Sequence, residues 1–138
     1  MKLPSKLQEL VEEPGVRDVV ISGEHCGVDR GFGIFEIANP FTPEELEGEL
    51  RQLAFETGVR CDIANPAADI ALGRYRIHAV LPYGISTTPH LSLRVHPEKP
   101  LRLGALQESG LSERPVDWLR AALEERKTLV FSGAPASG

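Results

Sequence analysis

Two stretches of the 138-residue chain place cations where they could hold an anion. In RYRIHAVLP (74–82), Arg74, Arg76 and His78 alternate with apolar residues, and in HLSLRVH (90–96), His90, Ser92, Arg94 and His96 do the same. Alternation with period two puts each set on one face of a strand, and guanidinium groups on rigid strands suit bidentate contacts to phosphate oxygens. A solvated sheet face, with its arginines paired to the many glutamates, fits the same pattern. A second candidate lies in TLVFSGAPASG (128–138), where an apolar run enters Gly133 and Gly138 follows five positions later. The G-x-x-x-x-G spacing, with small Ala134, Ala136 and Ser137 around Pro135, is the first part of a loop whose backbone N–H groups cradle phosphates. The Lys and Ser or Thr that would clamp the β- and γ-phosphates and ligate Mg²⁺ do not follow, and a C-terminal tail is the competing reading.

Other reactive groups form no recognisable set. His25 and Cys26 are adjacent and Cys61 stands alone, with no C-x-x-C or H-x-x-x-H pair to suggest a metal. No cysteine-protease motif surrounds Cys61. Asp62 and Asp69 bracket the NPAAD turn, where paired carboxylates could do acid–base work but turn and capping roles are the simpler reading. No catalytic residue and no metal site is assigned.

Composition narrows the classes. Hydrophobic residues make up 41% and charged residues 25%, as in an ordinary globular domain. A net charge of -5 argues against a general nucleic-acid binder, which needs a basic surface. No apolar run is long enough to span a bilayer, and the charged N-terminal stretch has no signal-peptide core. Two unpaired cysteines fit a reducing, cytoplasmic setting.

The elements that must position these residues can be outlined. Leu3, Leu7, Leu10 and Val11 share one helical face that ends at Pro14-Gly15. VRDVVISG predicts a buried strand closed by Gly23, and GVDRGFGIFEIA predicts two short strands around a Gly-rich turn. Thr42, Pro43 and Glu45 open a helix by a capping box, Leu46, Leu50, Leu53 and Ala54 form its stripe, and Gly58 closes it. The stretch 59–73 is expected to be irregular, with a turn at Asn65-Pro66. The strands bearing Arg76 and Arg94 are expected to be antiparallel neighbours, apolar on one face and cationic on the other. A short helix fits 97–110. Ser112 then caps a last helix that faces Val116, Leu119, Ala122 and Leu123 to the core, with Trp118 to the side, and TLVFSG is read as a strand. The boundary falls between 98 and 112. The expected class is α+β: an antiparallel sheet flanked by helices over 1–100, then a helix and strand of a second domain over 101–138.

In order along the chain, VEEPGVRDVVISG, TPEELEGELRQLA, NPAADIALGRYRIHAVLP, HLSLRV and LQESGLSERPVDWLRAALEERKTLVFSGAPASG resemble the secretion ATPases. These are the motors of type II and type IV secretion and of Tad/Flp pilus assembly, the CpaF-like branch included. The run at 76–82, LSLR at 91–94 and the final stretch are the most specific parts. The resemblance implies a PAS-like N-terminal domain cut within the Walker A loop, with Gly133, Ala134, Pro135, Ala136, Ser137 and Gly138 on its first six positions. It implies that Arg76 and Arg94 approach the phosphates of ATP, bound with Mg²⁺ in the intact protein, between this domain and a RecA-like one. It further implies a hexameric ring on the cytoplasmic face of the inner membrane, partnered with a membrane platform protein. The alternative is a stand-alone PAS-like interaction or sensory module.

Overall fold

The computed structural model describes residues 2–98, 102–108, 110 and 112–134. Two compact units divide the chain, 1–98 and 99–138.

The first unit is built in the order α1 (Ser5–Glu12), β1 (Asp18–Ser22), β2 (His25–Asp29), β3 (Ile34–Ile37), α2 (Pro43–Thr57), β4 (Ala67–Leu72), β5 (Tyr75–Val80) and β6 (His90–Val95). Its strands form one sheet in the order β3-β2-β1-β6-β5-β4, with every pairing antiparallel. Two three-stranded meanders are thus joined through β1 and β6, the first and last strands. The fold is α+β, an antiparallel sheet with helices against it, as the patterning predicts.

Period-two alternation explains the layering. Val19 and Ile21 on β1, Ile77 and Ala79 on β5, and Leu91 and Leu93 on β6 are all buried on one face. Leu7 and Val11 of α1 and Leu46, Leu50 and Leu53 of α2 join them in a single core. The opposite face carries the polar residues of the same strands. Each buried aliphatic side chain stabilises the unit by about 1.5–3 kcal/mol relative to exposure.

The start of α2 is fixed by chemistry legible in its sequence. Thr42 Oγ1 accepts from the Glu45 N–H at 3.2 Å, and Glu45 Oε2 accepts from the Thr42 N–H at 3.0 Å. Gly58 ends the helix with φ +71°, a left-handed conformation in which a Cβ would be strained.

One expectation for this unit is corrected. Only the first part of 59–73 is irregular: an Asp62–Asn65 bridge leads into β4, which pairs with β5 over its full length. Three of the six β4 residues are alanines, whose weak strand propensity hides the alternation that buries Ala68 and Ile70. Burial and the pairing with β5 override that propensity.

In the second unit, α3 (Ala105–Glu108) packs on α4 (Glu113–Glu124). Val116 and Ala122 are buried, but Leu123, expected on the core face, is 59% exposed. The single turn of α3 is too short to cover the whole apolar stripe of α4. Ser112 occupies the N-cap position without a side-chain hydrogen bond. The expected strand at 128–133 does not form: those residues have no regular structure, and Val130 and Phe131 are 89% and 76% exposed. A strand needs a neighbour for its N–H and C=O groups, and none of the described residues supplies one here.

Two outcomes follow for the first unit. Leu93→Ala should cost about 2–5 kcal/mol in urea unfolding and Thr42→Ala about 1 kcal/mol, with a near-zero loss for Thr42→Ala arguing that the cap is not formed in solution. Asp62 accepts from Arg60 Nε at 2.7 Å and from the Asn65 and Ala64 N–H groups at 3.0 and 2.9 Å. The Arg60 hydrogen bond first, then the backbone amides, hold its carboxyl at about 2. That lies below the unfolded value near 3.9, so the turn's contribution is complete above about pH 4 and is lost as pH falls towards 2. Carboxyl-carbon NMR should show that low midpoint; an ordinary one would mean the turn is open.

Candidate functional site

The polar face of the sheet brings four of the six expected cations together. Arg76 on β5 lies directly opposite Arg94 on β6, and Asp18 on β1 lies opposite Arg94 on its other side. One row along the sheet, His78 on β5 is flanked by Ser92 on β6 and Asp69 on β4. His96, just past β6, lines the same groove as Arg76, His78 and Arg94, whose volume is about 590 Å³. All of its lining residues belong to the first unit.

The two arginines are held differently. Arg94 Nε donates to Asp18 Oδ1 at 2.8 Å, and that bond keeps its guanidinium above even the ordinary arginine range. Arg76 has no carboxylate partner among the described residues, and its Nη1 donates only to the Tyr75 carbonyl at 3.3 Å. Like charges directly opposite on neighbouring strands are destabilising. Solvent exposure makes the pair tolerable, and an oxyanion between the two strands would turn the repulsion into attraction.

The other two expected cations are engaged elsewhere. Arg74 sits in the tight β4–β5 turn after Gly73, which has φ +56°. It leans over the Tyr75 ring at 5.5 Å and pairs with Glu98 at 3.5 Å. His90 Nε2 meets Ser86 Oγ at 2.6 Å, and Ser86 also donates to the Thr88 carbonyl at 2.7 Å, so this contact clamps the β5–β6 loop.

The remaining candidates separate. His25 and Cys26 are successive strand residues and point to opposite faces, the first exposed and the second buried with its thiol pushed up by desolvation. Cys61 is half-buried and its thiol is likewise raised by burial, the opposite of an activated nucleophile. Asp62 serves its turn and Asp69 pairs with His78, so the two carboxylates do not act together. Among the described residues, no group of three or more His, Cys, Asp or Glu is placed to hold a metal. Gly133 and Ala134 are exposed, and Pro135, Ala136, Ser137 and Gly138 lie outside the described residues. Asp18 was not legible as a site residue, because its position beside Arg94 depends on the β1–β6 register.

No family model matches the chain, and no curated protein gives a match. A solved structure does: the VirB11 ATPase from the Brucella suis type IV secretion system, in complex with sulphate. The fold is shared. The likeness covers 87% of this chain at a TM-score of 0.63 and 18% sequence identity. The chain spans 41% of the VirB11 chain, so the two have a common architecture over part of a longer protein. None of the described helices is long and apolar enough to cross a membrane.

Two guanidinium groups facing one another on adjacent strands have the chemistry to hold an oxyanion. Arg76 offers unengaged donors, Arg94 a second guanidinium, and the sheet holds both at fixed register. Asp18 is the only carboxylate bonded to either of the two among the described residues. Asp18→Asn should therefore raise sulfate affinity about threefold while changing folding stability by under about 1 kcal/mol. Titration calorimetry and urea unfolding read the two quantities; a fall in affinity would show that Asp18 orients Arg94 for the anion instead of competing with it.

Proposed function

We propose that this chain is the N-terminal, nucleotide-interface domain of a secretion or pilus-assembly motor ATPase, and that Arg76 and Arg94 contact the nucleotide phosphates. The observation that carries the reading is the directly opposed arginine pair, with Arg76 lacking any carboxylate among the described residues. Two findings support it. The fold is shared with part of the VirB11 ATPase, and that protein was solved with sulphate, an oxyanion of the chemistry this groove fits.

The chain's own contribution is electrostatic. Transfer of a γ-phosphoryl group spreads negative charge over its oxygens, and catalysis consists largely of positioning and stabilising that charge. Two guanidinium groups fixed on adjacent strands can bind the phosphates bidentately and hold their orientation. When bound, ATP supplies the group to be transferred, and Mg²⁺ finds no ligand cluster among the described residues. Gly133 to Gly138 would occupy the opening positions of the phosphate loop in the neighbouring domain. A hexameric ring at the cytoplasmic face of the inner membrane, acting on a membrane platform protein, completes the proposal.

The test has two arms. Titrating ATP into the 138-residue chain should shift the backbone amides around Arg76 and Arg94, and Arg76→Ala should remove the shifts without altering the circular dichroism. Turnover of ATP by these residues alone should be absent. Shifts confined to other surfaces, or robust Mg²⁺-dependent hydrolysis, would overturn the assignment. In the gene, a Lys then Thr or Ser codon after Gly138 supports the motor reading, and any other continuation opposes it.

A further inference from the structure

We propose that His78, held by Asp69, is a third anion-binding side chain of the groove, and that it makes oxyanion affinity there rise as the pH falls. This rests on the phosphate reading of Arg76 and Arg94, and adds the regulation of that site. The geometry begins with one hydrogen bond: His78 Nδ1 donates to Asp69 Oδ1 at 2.8 Å across the β4–β5 pair. A carboxylate can only accept, so this bond fixes the proton of the neutral ring on Nδ1. Nε2 of that neutral ring then carries a lone pair and cannot donate to an anion. Protonation converts Nε2 into a donor and adds a positive charge beside the arginines. Histidine is the side chain whose ordinary charge change lies between pH 5 and 8.

Among the described residues, the charged and polar groups around His78 lie on β1, β4, β5 and β6 or, for His96, just past β6. Asp69 faces it from β4, neutral Ser92 from β6, and Arg94 sits one row along on β6. Arg76 is on its own strand two residues away, with its side chain on the same face, and Asp18 of β1 and His96 complete the charged lining. Asp69 sets a negative charge beside the ring and the arginines set positive charges along the same face. An anion bound between Arg76 and Arg94 would offset the arginine charges, which couples a proton on His78 to anion binding in the same groove. The His78 side chain is 53% exposed, so protons reach it freely and its replacement should not disturb the core.

The discriminating experiment uses sulfate, whose charge is constant between pH 5.5 and 8, so that any pH dependence belongs to the protein. Calorimetry of the 138-residue chain should give affinity about five- to tenfold higher at pH 5.5 than at pH 8. His78→Gln should lose most of the rise, bringing the affinities at the two pH values close together. His96→Gln should keep most of the rise, and Arg76→Ala should lose binding at both pH values. Circular dichroism checks that each variant is folded. Binding that is flat with pH, or a rise that survives in His78→Gln, overturns the role of His78 and leaves the arginine site standing. Failure of the unsubstituted chain to bind sulfate at either pH overturns the anion site itself and His78 with it.

Discussion

The pairing of β1 with β6 is the constraint on which the sheet and its groove both depend. Two local meanders, each assembled from neighbours in sequence, have no edge in common until Asp18–Ser22 meets His90–Val95. That contact joins residues 68 to 76 positions apart, and the entropy of closing so long a loop must be offset by what it buries. Val19 opposite Leu93 and Ile21 opposite Leu91 place four fully or nearly fully buried aliphatic side chains on one seam. Their alternate neighbours, Asp18 opposite Arg94, then meet on the solvent face as a consequence of the same register. A slip of one residue would bury the charges and expose the aliphatics, so hydrophobic burial sets the geometry of the polar site.

That coupling explains how a like-charge pair can persist. Arg76 and Arg94 oppose one another because Ile77 and Leu93 must do so on the other face, one residue further along. Solvent screening and the Asp18 contact reduce the cost of the repulsion but leave Arg76 without a carboxylate among the described residues. The β5–β6 register fixes the separation of the two arginines at their backbones, so an anion held between them would require less ordering on binding.

Legibility from the sequence followed the range of the interactions. The capping box at Thr42 and Glu45 and the left-handed Gly58 are local, and their residues announce them. The alternation of 74–82 and 90–96 revealed which residues share a face, hence Arg76 beside Arg94. It could not reveal that Arg74 would be drawn into the turn towards Tyr75 and Glu98, or that His90 would be taken up by Ser86. β4 escaped because alanine carries little strand preference, and its evidence lies in β5 opposite it. TLVFSG misled in the other sense: its residues suit a strand, but propensity without a pairing partner makes none.

The same distinction bears on where an anion can be held. A phosphate loop depends on the helix and strands around it to aim its N–H groups, and the stretch 128–134 has no strand structure and is exposed except for a partly buried Leu129. The arginine–histidine face depends only on the six-stranded sheet, whose core is complete within residues 1–98. Residues carried on the polar face of this sheet inherit the rigidity of the opposite face, because each is flanked by two that are buried in the core or packed against it. Arg76 lies between Tyr75 and Ile77, His78 between Ile77 and Ala79, and Arg94 between Leu93 and Val95. Side chains so rooted can differ in charge state without the sheet moving. A proton added to His78 therefore changes the field in the groove while its geometry stays fixed, which is the condition for a site tuned by electrostatics alone.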